Sequence, residues 1–278
     1  MIKKKSRIGR PLMWIVLIGW LLFALGPYIW MFLTSIKPTS ELFARPMHYL
    51  PQHGTLAAYR ELISTTPFLE FMEHSLLVAA FTAMFTLLLA TPAGFSLSRH
   101  TFKGKKVVLS LLISSQFFPS ILLVLALYPI MRSTGLIHTM SGLIVVYTAF
   151  VTPFTTWLMK GFFDGIPKDV DEAAKVDGCS EFEVIWYVLL PVLVPGLVAA
   201  GAYIVIFSWN EFLFALTFAS NTGASTLPVG LNTFIGDYIT RWDLLTAGGV
   251  VSAIPIVIFF MLIQKRLISG LTAGAVKS

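Results

Sequence analysis

Four stretches of this chain, 12–34, 75–98, 107–131 and 244–264, contain no Asp, Glu, Lys or Arg and are rich in Leu, Ile, Val, Phe and Ala. A helix needs about 20 largely apolar residues to cross a hydrocarbon layer about 30 Å thick, since each residue rises about 1.5 Å. Two further segments, 141–159 and 192–219, pass the same test, the second with a single acid, Glu211. The pattern predicts an all-α polytopic membrane protein with six transmembrane helices. A chain that is 56% hydrophobic and 12% charged does not suit a soluble globular fold, so the apolar mass must face lipid. Pro119, Pro129, Pro153 and Pro255 fall inside the spans, where they are expected to kink helices whose freed carbonyls find partners in a packed bundle.

The first span is longer than the apolar core of a signal peptide, about 7 to 15 residues, and no small-residue cleavage pattern follows it, so it is expected to be retained. Cys179 is the one cysteine, which rules out an internal disulfide, and no Cys/His cluster has metal-ligand spacing.

Basic residues set the orientation. Residues 1–11, 99–106, 160–191 and 265–278 hold 15 of the 20 Lys and Arg, and the opposite loops hold only Lys37, Arg45, Arg60, Arg132 and Arg241. Cytoplasmic loops carry the excess, so both termini are expected in the cytoplasm. The N-terminal cluster Lys3, Lys4, Lys5, Arg7 and Arg10 reads as a topogenic anchor beside anionic lipid, and the net charge of +6 calls for no nucleic acid. The segments 35–74 and 220–243 are polar, contain Pro and Gly, and are expected to form folded external caps or docking surfaces.

The loop 160–191 differs from the other cytoplasmic segments. It contains seven of the 14 acids: Asp164, Asp169, Asp171, Glu172, Asp177, Glu181 and Glu183. It reads as two short helices, the first opening at Pro167 with acids in its first turn and closing at Gly178. The second starts at Ser180, whose spacing to Glu183 is that of a capping box, and is expected to end at Pro191. Phe182, Ile185, Trp186, Leu189 and Leu190 would share one apolar face. Clustered acids are poor ligands for an anionic membrane surface, which favours docking to a cytoplasmic partner over resting on headgroups.

Glu172-Ala173-Ala174, three residues, Gly178, nine residues, then Val188-Leu189-Leu190-Pro191 resembles the EAA loop of ABC importer permeases, with Val188 where Ile is usual. The whole chain is similar to the MalG-like permeases of carbohydrate ABC importers. The likeness runs through Thr34-Ser35-Ile36-Lys37, Ser98-Arg99, Phe102-Lys103-Gly104-Lys105, Trp209-Asn210-Glu211-Phe212 and the ending Gly270-Leu271-Thr272-Ala273-Gly274-Ala275-Val276-Lys277. His74 stands where many relatives have Asn, and Ser278 where Gly is common. The resemblance implies a type I ABC importer permease fold and a place in the inner (cytoplasmic) membrane. It also implies partners: a second, MalF-like permease, two ABC ATPase subunits and an extracytoplasmic solute-binding protein. ATP and Mg would be held by the ATPases, with no cofactor in this chain. Glu172, Ala173, Ala174, Gly178, Leu190 and Pro191 would couple to the ATPase. In that role Glu172 makes a polar contact, Ala173 and Ala174 pack closely, Gly178 sets the angle between the helices and Pro191 the exit into the fifth span. Gly270, Leu271, Thr272, Gly274 and Lys277 would reach between the ATPase subunits. The cargo implied is a sugar, a di- or oligosaccharide.

Charged residues are costly inside a bilayer and usually face a cavity or a partner. Glu211, with Trp209 and Asn210, therefore has two readings: it lines the solute path, or it caps an interhelical contact near the outer end of its span. An enzyme is disfavoured, because the chain has no phosphate-binding loop, no G-x-S-x-G elbow and no H-E-x-x-H pair, and Gly104-Lys105 lacks the upstream glycine. An ion-coupled carrier would usually bury ionisable residues in several spans. A permease for glycerol-phosphate or another solute would share the motifs described above.

Overall fold

The computed structural model describes residues 9–221, 223–236 and 238–275, and among these the regular structure is helical, with one isolated bridge between Ile235 and Thr240. Five helices are long and apolar enough to cross a membrane: Met13–Ser35, Phe68–Arg99, Met140–Asp164, Glu181–Asn210 and Trp242–Arg266. A sixth crossing would be a bent pair, Lys105–Phe117 and Ser120–Ser133, whose arms meet at 97°. The chain divides into two compact units, residues 1–68 with 231–254, and residues 69–230 with 255–278.

The first unit opens with α1 (Gly9–Ser35), whose apolar window has no buried residue. A helical stretch that is apolar and exposed all round is suited to lipid or a neighbouring chain. Two short helices, α2 (Thr39–Leu42) and α3 (Ala57–Thr65), follow. The segment expected to be an external cap is closed by its own hydrogen bonds. Lys37 donates from Nζ to the His48 carbonyl at 2.6 Å, and the Tyr59 and Ser35 hydroxyls share a bond of 2.6 Å. Glu41 accepts the Gln52 N–H at 2.7 Å, which, with smaller help from the His53 N–H, Lys37 and His48, holds its carboxyl below the usual range. Arg241 bonds both Glu61 and Asp243, at 2.9 and 2.8 Å, and these carboxylates raise its pKa.

The second unit contains α4 (Phe68–Arg99), α5 (Lys105–Ser114), α6 (Ser120–Ser133), α7 (Met140–Asp164), α8 (Lys168–Val176) and α9 (Glu181–Glu183). Beyond these lie α10 (Leu190–Asn210) and α11 (Leu213–Phe218); α12 (Leu227–Asn232) and α13 (Trp242–Ala275) complete the chain. One hydrophobic cluster gathers Val78, Val124, Leu143, Tyr147, Phe214 and Phe218. Another gathers Phe95, Met159, Phe163, Val184, Leu189 and Leu193. Where α4 meets α7, a Cβ on Gly94 would lie 2.8 Å from the Met159 Cβ and 2.9 Å from the Lys160 nitrogen, so only glycine permits this approach.

Four sequence-based expectations need correction. The span 107–131 is not one helix. Pro119 cannot donate and forces Phe118 to extended backbone (φ −75, ψ 128), so α5 and a 3-10 turn at Ser115–Phe117 end there. At the break Gln116 bonds the Phe150 carbonyl through Nε2 at 3.2 Å, a side chain supplying a partner to a helix backbone. The fifth span ends at Asn210 rather than running through 219, since Glu211 is extended (ψ 129) and α11 starts afresh.

Pro191 does not end the second loop helix. The chain continues from α9 through a π-helical stretch, Val184–Leu189, into α10, with Pro191 in the first turn of α10. A wider π turn makes room before a proline that would otherwise crowd the carbonyl one turn back. That turn also shifts the periodicity. Val184 and Leu189 are buried while Phe182 and Trp186 are exposed, so the expected apolar face is split.

Candidate functional site

The loop between α7 and α10 forms a capped helix pair. α8 starts after Pro167, with Asp169 and Asp171 in its first turn and Lys175 in its last, each complementing the helix dipole. It closes by a Schellman motif: Gly178 donates to the Lys175 carbonyl at 3.1 Å and Cys179 to the Ala174 carbonyl at 3.0 Å. Gly178 has φ +90, where a side chain is strained. Ser180 then caps α9 through the expected capping box. Glu183 N–H donates to the Ser180 hydroxyl at 3.3 Å, and the Ser180 N–H donates to the Glu183 carboxylate at 2.8 Å.

The expected site residues separate by exposure. Glu172 and Ala173 face outward, while Ala174 is buried in the cluster of Phe163 and Leu189. Of the alanine pair, only Ala173 is therefore free to meet a partner; Ala174 holds α8 against its own bundle. Val176, which the sequence reading passed over, is 86% exposed one turn beyond Glu172 and Ala173. Its i+3/i+4 spacing to those two residues is the signal that would have found it. Phe182 and Trp186 lie outward too, with ring centroids 5.7 Å apart. Leu190 is half-buried at the start of α10, next to Pro191.

A second arrangement joins the Ser98-Arg99 pair to acids far along the chain, partners that no sequence spacing indicates. Arg99, the last residue of α4, donates to the Phe163 carbonyl at 2.9 Å, to the Ile166 carbonyl at 3.2 Å and to Asp171 Oδ1 at 3.2 Å. Its Nε also lies 2.5 Å from Asp171 Oδ2, a Coulombic approach rather than an aligned hydrogen bond. Both side chains are buried, with 7% and 10% exposed. Ser98 beside it donates to Asp164 at 2.6 Å, and Lys160 pairs with the same carboxylate.

Glu211 makes its bonds inside the chain. Its carboxylate accepts the Tyr147 hydroxyl at 2.7 Å and the N–H groups of Phe214 and Ala215 at 2.8 and 3.0 Å. It thereby caps α11 and joins it to α7 across the break. Trp209 is buried, and exposed Asn210 bonds the Ile206 carbonyl. The three neighbours in sequence do not converge on one surface. His74 bonds the Ser225 carbonyl through Nδ1 at 3.1 Å, and Ser75 accepts the Leu227 N–H at 2.7 Å, so this pair anchors the start of α12. Of the tail residues, Gly270, Leu271, Thr272 and Gly274 belong to the backbone of α13. Their side chains, and Lys277, lie outside the described residues.

A bundle of apolar, proline-broken helices bearing a capped helix pair of this build has the fold of an ABC importer permease. It superposes with a TM-score of 0.80 on a chain of a bacterial ABC transporter involved in import of the acidic polysaccharide alginate, at 21% identity over 95% of this chain and 98% of that one. The chain belongs to the family of binding-protein-dependent transport system inner membrane components, whose profile matches residues 87–272. Among its relatives, the sulfoquinovosyl glycerol transport system permease protein of Agrobacterium fabrum is 36% identical, over 97% of this chain and 94% of that protein. The trehalose/maltose transport system permease protein of Thermococcus litoralis is 33% identical, over 95% and 96%. These relatives are permease subunits, and this chain is likewise a transport component rather than an enzyme.

Proposed function

We propose that this chain forms half of the translocation pathway of a sugar importer, driven by ATP that partner subunits hydrolyse. The observation that carries this reading is the α8–α9 pair: a Schellman closure at Gly178, a capping box at Ser180 and an outward face of Glu172, Ala173 and Val176. A short, rigid, doubly capped element with mixed polar and apolar exposure is built to seat in a groove of another protein.

In this reading the chain crosses the membrane six times with both termini in the cytoplasm, which the Lys/Arg asymmetry supports. A second, MalF-like permease pairs with it. Two ATPases, holding ATP and Mg, dock under the loop 160–191 of this chain and its counterpart, and a binding protein delivers solute outside. Closure of the ATPase dimer draws the two loops together and rocks the bundles between inward- and outward-facing states. The tail 265–278 reaches toward the ATPases. Glu211 positions the broken fifth span instead of binding solute, because its carboxylate is occupied by three internal donors. A di- or oligosaccharide cargo is supported by relatives named for trehalose, trehalose/maltose and diacetylchitobiose transport.

The test is reconstitution in proteoliposomes with the co-encoded permease, ATPase and binding protein, scanning labelled disaccharides with and without ATP. Uptake that needs both ATP and the binding protein is expected. Uptake driven by an ion gradient without the ATPase would replace this reading with a secondary carrier.

A further inference from the structure

Three separate elements meet at one guanidinium. Arg99 ends α4, the Phe163 carbonyl lies in the last turn of α7 and the Ile166 carbonyl in the link just beyond it, and Asp171 stands in α8. A cation at the C-terminal end of α7 adds a donor to the Phe163 carbonyl, which also accepts the Ile166 N–H at 3.1 Å, and complements the dipole there. The covalent link from α7 to α8 is only the short turn Gly165-Ile166-Pro167. The other contacts of α8 with the bundle, from Val170 and Ala174, are apolar and so non-directional. A planar fork that bonds two carbonyls and a carboxylate at once fixes direction as well as distance.

We propose that Arg99 is a positioning residue for transport. Through Asp171 it makes α8 and the inner end of α4 one mechanical body, so that displacement of the docking loop moves the second span with it. The proposal rests on the permease reading and adds to it the route by which motion leaves the loop. A buried ion pair is a weak stabiliser compared with an apolar pair of similar volume, and breaking one partner is costly because the other charge is left unpaired. Specific geometry is what this pair supplies.

The experiment measures spin-label distances in the assembled complex, in a Cys179→Ser background, with labels at Lys168→Cys on α8, exposed and outside the face of Glu172, Ala173 and Val176, and at Ser96→Cys on α4. In the otherwise native chain the distance is expected to be the same in nucleotide-free and ATP–vanadate-trapped complexes. In Arg99→Gln the ATPase is expected to be captured normally, but the distance distribution broadens and shifts on trapping. A shift in the native chain, or an Arg99→Gln distribution as narrow and invariant as the native one, overturns the proposal. If Arg99→Gln does not assemble, Asp171→Asn, which leaves the carbonyl bonds of Arg99 in place, is measured against the same two criteria. Failure of the native chain to capture its ATPase would remove the permease reading itself, and would be seen before any distance is taken.

Discussion

Replacing Glu211 separates a structural role from solute binding. In Glu211→Ala the Tyr147 hydroxyl, fully buried, loses its acceptor, at a cost of about 1–3 kcal/mol. The Phe214 and Ala215 N–H groups lose their cap, which costs about 1 kcal/mol more. The sum is on the order of 3 kcal/mol. In Glu211→Gln one amide oxygen can keep the Tyr147 and Ala215 bonds now made by Oε2, while the amide nitrogen faces the Phe214 N–H and cannot accept it. That variant should lose about 1 kcal/mol. At about 2–4 °C per kcal/mol, thermal unfolding in detergent should fall by roughly 6–12 °C for Ala and roughly 2–4 °C for Gln. Tryptophan fluorescence on heating, paired with uptake of the cargo sugar, reads both properties. Unchanged midpoints in both variants would refute the bond count. A native midpoint in Glu211→Gln together with lost uptake would show that the carboxylate meets solute.

Gly178→Val places a β-branched side chain at φ +90, a cost of at least about 1–2 kcal/mol, and should cut ATPase capture in a pull-down several-fold. Gly178→Asn, which tolerates the left-handed region, should retain most of it; equal losses in the two variants would mean that strain is not the cause. Gly94→Val drives side-chain atoms into the Met159 Cβ and the Lys160 backbone and should destabilise by about 1–3 kcal/mol, read as a lower unfolding midpoint. Glu41 has a lowered pKa in the folded cap, so its contribution is complete above its unfolded value, about 4.3, and is lost as pH falls through the folded value. Exchange protection of the Gln52 amide, corrected for intrinsic rate, should therefore drop below about pH 4 in the native chain and be independent of pH over that range in Glu41→Gln.

Much of the loop 160–191 was legible because its signals are local. Proline at a helix start, acids in a first turn, glycine at a left-handed C-cap and the Ser180/Glu183 spacing act within a few residues, so α8, its closure and the capping box are where the pattern puts them. The break at Pro119 was marked by the proline but read as a kink, since how far a helix bends depends on what replaces its lost bonds. Here that substitute is Gln116 meeting Phe150, 34 residues away. The apolar face of the second loop helix is split because Val184–Leu189 is π-helical and departs from the α-period that the spacing implies.

Residue order alone is enough to show that apolar helices of membrane-crossing length dominate this chain and that a capped acidic helix pair interrupts them. Length, charge and capping are properties of neighbours along the chain. It takes the packed fold to show that Ala174 turns inward while Val176 turns out, that Glu211 serves Tyr147 and α11, and that Arg99 holds Asp171 72 residues away. Those choices are set by which helices pack together. Where little water is left to satisfy a buried charge or N–H, each such group must find a partner in whichever element packing brings beside it.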